Sequence, residues 1–136
     1  MVIISVDYGD VRTGVAACDK LQMLASPVTV IKQKDPELLS EEIKKICLEK
    51  KAKKIVLGLP KNMDGSEGFR AEACKEFAKL LSEKTGLSVD FQDERLTTVS
   101  AHNILNATDT RGKKRKAVVD AVSAVLILED YLRKQN

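Results

Sequence analysis

The sequence predicts an α/β fold: a mixed five-stranded sheet, an antiparallel meander plus parallel strands, with helices on both faces. Three observations predict it. Short β-branched apolar runs open the chain at close spacing, the apolar period turns helical from Asp35 onward, and strand-like and helix-like runs then alternate. With 136 residues the chain can bury one ordinary core, and a single domain over 1–136 is expected.

The first strand is Val-Ile-Ile-Ser-Val at 2–6, ending in Asp7, and Tyr8-Gly9-Asp10-Val11 is a turn. A second strand is expected near 12–18, where Gly14, Ala16 and Ala17 keep the side chains small, and a third around Val28–Ile31, after Pro27. Connections this short suit an antiparallel meander. Asp35-Pro36 is a helix start, a capping acid followed by proline in the first turn, and Leu39, Ile43, Ile46 and Cys47 recur at helical spacing. A strand over Lys54–Leu57 precedes a loop running from Gly58 to Ser66. Phe69, Ala73, Phe77, Leu80 and Leu81 mark the next helix, stopped near Gly86. Leu87–Phe91 alternates as a strand and runs into Gln92-Asp93-Glu94-Arg95. Two helices are expected to finish the chain, over about 97–106 and 116–132, with a basic, glycine-containing loop between them.

Composition excludes several classes. Hydrophobic residues at 43% and charged residues at 32% describe a globular chain rather than a disordered or membrane one. The longest apolar stretch, Ala117 to Leu128, is broken by Asp120 and Ser123 and is too short to span a bilayer. The opening strand carries no export signal, and the three widely spaced cysteines form no Cys-x-x-Cys pair, so a cytoplasmic, reducing environment is expected. A single histidine, His102, argues against a zinc site.

A net charge of +3 does not by itself point to nucleic acid, and its distribution says only slightly more. Arg111, Lys113, Lys114, Arg115 and Lys116 fall together with no acid between Asp109 and Asp120, which makes them the phosphate-binding candidates. Lys44, Lys45, Lys50, Lys51, Lys53 and Lys54 are interleaved with Glu41, Glu42 and Glu49 and read as a solvated helix face.

Three groups of carboxylates stand out. Asp7 ends the first strand, and open α/β sheets bind ligands at the carboxyl ends of their strands. Asp93 and Glu94 end a later strand and should open on the same edge. Asp120 sits in a helix that is apolar on nearly every side, where an ionised carboxylate needs a cation or a basic partner. Taken singly, Asp7 is also compatible with turn chemistry, Asp93 and Glu94 with surface pairing, and Asp120 with a buried salt bridge. Converging, they would repel one another unless hard cations such as Mg²⁺ or Mn²⁺ bound between them, and two such ions are a standard device for hydrolysing phosphodiesters.

These motifs form a recognisable set. Asp7-x-Gly9-x-x-Arg12-x-Gly14, Gly58-Leu-Pro-Lys-Asn-Met-Asp-Gly-Ser66, Asp93-Glu-Arg-Leu-Thr-Thr98 and Lys116-x-x-x-Asp120-x-x-x-Ala124-x-x-x-Leu128 together resemble the YqgF family, also called RuvX or Holliday-junction-resolvase-like. The resemblance covers almost the whole chain in the right order. It implies a ribonuclease H-like fold and a divalent-metal nuclease, with members linked to maturing the 5′ end of precursor 16S rRNA and, in earlier readings, to resolving Holliday junctions. Carried over by position, Asp7 and Asp120 would be metal ligands on a two-ion site of Mg²⁺ or Mn²⁺. Related resolvases place the middle acid after the strand that ends here in Gly58-Leu59-Pro60, where this chain has no acid, and Glu94 is expected to replace it, Asp93 being the alternative. Arg12, Asn62 and Lys116 would be positioning or phosphate-contacting residues. Asp10 departs from the family by placing an acid in a turn that often carries a neutral residue.

The expected partners are precursor rRNA or branched DNA, with no membrane, and the expected state is a monomer or weak homodimer. Junction resolution favours a dimer that makes symmetric cuts. A non-catalytic RNA-binding assembly factor is the rival from another class. An actin-like phosphotransferase, which can also open with Asp-x-Gly, needs a second lobe for which there is no room.

Overall fold

The computed structural model describes residues 1–22, 24–59, 68–93 and 112–135; residues 112–120 and 135 are described by backbone alone. In chain order the described elements are β1 (Val2–Asp7), β2 (Arg12–Cys18), β3 (Ala25–Lys32), α1 (Pro36–Lys50), β4 (Ala52–Leu59), α2 (Phe69–Thr85), β5 (Ser88–Asp93) and α3 (Gly112–Gln135). The sheet order is β3-β2-β1-β4-β5. β1, β2 and β3 pair antiparallel, while β4 and β5 run parallel to β1, giving the predicted meander plus crossovers. The helix expected over 97–106 lies outside the described residues.

Alternation along the strands divides the core between the two faces. Ile4 and Val6 of β1, Val15 of β2, and Ile55, Leu57 and Leu59 of β4 pack under α1 and α2, against Leu39, Ile43, Phe77 and Leu81. Ile3, Cys18 and Val56 face the other way, onto Ile127, Leu128, Tyr131 and Leu132 of α3. Each large aliphatic side chain buried here contributes about 1.5–3 kcal/mol relative to exposure. Helices thus cover both faces, as expected.

Local chemistry sets the element ends. Asp35 caps α1 by accepting from the Glu37 amide at 2.9 Å, with Pro36 as the first helical residue. Gly86 closes α2 in the left-handed region at φ 72°, which favours glycine.

Several boundaries differ from expectation. β3 begins at Ala25 and contains Pro27. It is an edge strand, so the missing proline N–H is tolerated, and the ladder shifts register where Pro27 meets Ala16. β4 runs from Ala52 through Gly58 to Leu59, so the expected loop starts later. β5 spans Ser88–Asp93 rather than stopping at Phe91, because pairing with β4 carries it on as far as Leu59↔Asp93. Phe69 begins α2 but is 85% exposed and contributes nothing to the core. Lys54 is no solvated helix residue: it lies in β4 and bonds Tyr131 and Asp90.

The largest correction concerns the basic run. Gly112 already begins α3, so Lys113, Lys114 and Arg115 join Lys116 in its first turns and do not form a loop. Lysine and arginine are good helix formers, and no breaker separates them from the apolar run that follows.

Candidate active site

Because β1, β4 and β5 are parallel, their carboxyl ends share one edge of the sheet. Asp7 ends β1 there. Ile3 packs on α3, and Ser5 donates its hydroxyl to the Ala124 carbonyl at 2.6 Å, so alternation puts Asp7 on the α3 face as well. Its partner across the antiparallel ladder is Gly14, and Gly58 follows directly after Leu57, the partner of Val6. Asp7 is therefore flanked in the sheet by two residues without side chains. Arg12, two residues from Gly14, shares that face of β2 and is partly buried.

α3 runs antiparallel to β1, with Ala124 over Ser5, and Ile127 and Leu128 in the cluster with Ile3. Asp120 lies one turn before Ala124, a rise of about 6 Å along the helix. Asp7 lies two residues past Ser5, about 6.5 Å along the strand in the same direction. The two backbone positions are thus brought to one level, on the same side of the sheet.

Asp93 is not brought there. Asp90 reaches α3 through Tyr131, whereas Val89 packs with the α1/α2 core, so Asp93 stands on the α1/α2 side, paired in register with Leu59. Gln92, buried, takes the α3 side beside Gly58. Glu94, Asn62 and Arg111 lie outside the described residues. Lys113, Lys114, Arg115 and Lys116 are described only as helix backbone at the amino end of α3. Among the described residues, which include neither Glu94 nor the Asp120 side chain, no three potential metal ligands cluster.

Two flanking networks hold this geometry. At the carboxyl end of α3, the Tyr131 hydroxyl donates to Asp90 Oδ2 at 2.6 Å and accepts from Lys54 Nζ at 3.1 Å, while Lys54 and Asp90 approach to 3.2 Å. The Tyr131 hydrogen bond, with Lys54 adding to it against the effect of burial, holds the Asp90 carboxyl below its ordinary value. Tyr131 first, and then Asp90, raise the Lys54 ammonium. At the other end, Arg70 of α2 pairs with Asp10 and donates to the Tyr8 carbonyl at 2.8 Å. Asp10 is thereby engaged by Arg70. Burial raises the Tyr8 phenol, with Arg70 pulling the other way.

Ser5, Tyr131 and Arg70 were not singled out from sequence. A lone serine two residues before Asp7 in an apolar strand is a signal that alternation could have exposed. Arg70 carries none, because its partners lie some sixty residues earlier in the chain.

The family model described as "RuvX: Holliday junction resolvase" matches residues 1–134. The chain belongs to the RuvX family. Full-length relatives agree. A protein of Halothermothrix orenii named "Putative pre-16S rRNA nuclease" is 46% identical over 136 residues, covering 100% of this chain and 97% of the relative. One of Agathobacter rectalis with the same name is 42% identical over 135 residues, covering 97% and 94%. The enzyme class carried by this RuvX-family chain is that of a nuclease. Among solved structures, T. thermophilus RuvC in complex with a Holliday junction substrate matches with TM-score 0.63 at 10% identity, over 100% of this chain and 97% of that one. The fowlpox virus Holliday junction resolvase matches with TM-score 0.57 at 14% identity, over 98% and 99%. At these identities the likeness is one of fold, the ribonuclease H-like sheet of the resolvases. Among the described residues no helix is long and apolar enough to cross a membrane.

Proposed function

We propose that this RuvX-family nuclease is a cytoplasmic, metal-dependent phosphodiesterase that processes the 5′ end of precursor 16S rRNA, using Asp7, Glu94 and Asp120 to hold two divalent ions. The observation that carries this reading is the Ser5–Ala124 hydrogen bond, which sets the Asp120 turn of α3 level with Asp7 on one face of the sheet's carboxyl edge. Gly14 and Gly58 put no side chain beside Asp7 in the sheet. An all-carboxylate donor set suits hard cations, Mg²⁺ or Mn²⁺. Such ions, when bound, supply an activated water and stabilise the departing oxygen.

The position of Asp93 favours Glu94 as the middle acid, since Asp93 stands on the α1/α2 side. Arg12, on the Asp7 face, is the residue we assign to a substrate phosphate, together with Asn62. Lys113, Lys114, Arg115 and Lys116 occupy the first turns of α3, where cations oppose the helix dipole, and a polyanion would relieve that conflict; Arg111, next to them in sequence, is assigned to the same phosphate contacts. A monomer or weak homodimer suffices for a single cut.

The description of the family as a Holliday junction resolvase favours a second reading, cleavage of a four-way DNA junction. The test is cleavage of a precursor 16S leader and of a four-way junction in Mg²⁺ or Mn²⁺ by wild type, Asp7→Asn and Asp120→Asn. RNA cleavage lost in both variants is the expected result. Cleavage confined to the junction would transfer the assignment to DNA. Tight RNA binding without cleavage of either substrate would instead mark an assembly factor.

A further inference from the structure

The turn after Asp7 is gripped from two sides. From the strand side, Gly9 is packed so closely that a Cβ there would lie 2.1 Å from the Arg12 carbonyl oxygen, and the Gly9 amide points at Thr13 Oγ1 at 3.4 Å. From the helix side, the Arg70 guanidinium spans the turn, one nitrogen on the Asp10 carboxylate and the other on the Tyr8 carbonyl at 2.8 Å. It also lies 5.6 Å from the centre of the Tyr8 ring, which stacks on Phe77 at 4.2 Å with planes 7° apart. A planar fork held by a carboxylate, a carbonyl and an aromatic face is an arrangement that lysine cannot reproduce.

We propose that Arg70, oriented by Asp10, is a positioning residue that fixes the Tyr8–Asp10 turn and thereby the placement of the Asp7 carboxylate. The inference rests on the assignment of Asp7 to the reaction. Arg70 touches no reacting atom in this role; it acts through the backbone on either side of Tyr8. Asp10, the acid that departs from the family resemblance, is then the anchor of a guanidinium rather than a metal ligand. Because a misplacement of about 1 Å at a reacting group costs on the order of a hundredfold, loosening the turn falls on the chemical step rather than on substrate capture.

The test compares Arg70→Ala, Arg70→Lys and Asp10→Asn with wild type and Asp7→Asn, measuring kcat and KM on the precursor RNA leader and amide hydrogen exchange along the chain. Arg70→Ala should lower kcat about 10–100-fold with KM changed less than about twofold. Arg70→Lys should recover part of the loss, and Asp10→Asn should fall between wild type and Arg70→Ala. Exchange at residues 9–13 should quicken in Arg70→Ala while that of α3 stays unchanged. A raised KM with kcat intact would overturn the proposal and make Arg70 a substrate contact. Unchanged exchange at residues 9–13 would overturn it irrespective of activity. Full cleavage by Asp7→Asn would defeat the catalytic assignment instead, leaving exchange to judge the clamp on its own.

Discussion

Ser5 offers a direct way to ask whether the spacing between β1 and α3 governs the chemistry. Its side chain is fully buried, two residues before Asp7, and its hydroxyl holds the Ala124 carbonyl at 2.6 Å. Ala16 lies opposite it in β2 and Val56 beside it in β4, both with no exposure. Ser5→Ala removes only the hydrogen bond, at a cost of about 1 kcal/mol. Ser5→Val also puts two methyl groups where one hydroxyl stood, and overpacking adds about 1–3 kcal/mol. The total, about 2–4 kcal/mol, leaves a protein of ordinary stability folded. The strain is relieved most readily by α3 lifting from the sheet, and, on the proposed two-ion site, a shift near 1 Å between Asp7 and Asp120 would cost about a hundredfold in rate. Urea unfolding and RNA cleavage in saturating Mg²⁺ measure the two effects separately. The expected pattern is a mild loss of stability with near-normal kcat for alanine, and a folded but roughly hundredfold slower valine variant. A valine variant that is destabilised yet cleaves at the wild-type rate would refute the reasoning, because the helix could then move without consequence.

Three further outcomes are expected. Tyr131→Phe keeps the buried ring but removes the hydroxyl between Asp90 and Lys54, and should cost about 1–2 kcal/mol at pH 7, the lower part of the range for charged hydrogen bonds because Asp90 is partly exposed. Since the folded Asp90 carboxyl titrates below its ordinary value, this contribution is complete above about pH 4 and fades as pH falls through the folded value; paired denaturation curves at pH 7 and pH 3 that show the same gap would contradict it. Burial pushes the Cys47 thiol up to about 11, so at pH 8 it should resist alkylation until the protein unfolds, and prompt labelling of the native chain at Cys47 would count against the described packing. Replacing Lys113, Lys114, Arg115 and Lys116 by glutamine should weaken RNA binding and flatten the dependence of log Kd on log salt by about 0.7 for each phosphate no longer neutralised. An unchanged slope would remove the start of α3 from the binding surface.

Much of the architecture was legible because it depends on local periodicity. The change from strand-like to helix-like spacing at Asp35, the Asp35-Pro36 start and the Gly86 stop all act over one or two turns of chain, and each stands where expected. Strand limits were less legible, because pairing decides them: Pro27 is tolerated only on an edge, and Gly58 remains in β4 because β5 pairs with it. The basic run reads as a loop for a similar reason. A glycine beside charged residues looks like a break until the continuing helix shows otherwise.

By itself, then, the sequence determined the α/β class, the order of the described elements, the family motifs and the acids to suspect, since each is written in short-range pattern or residue type. Only the tertiary structure decided which acids share a side of the sheet. It separates Asp93 from Asp7 by strand alternation and brings the Asp120 turn level with Asp7 through the antiparallel run of α3 over Ser5. It also pairs Arg70 with the turn after Asp7 and Tyr131 with Asp90. The physical reason is common to all of these. A carboxylate's partners are set by register and crossing geometry among elements far apart in sequence, and that geometry exists only once both faces of the sheet are covered.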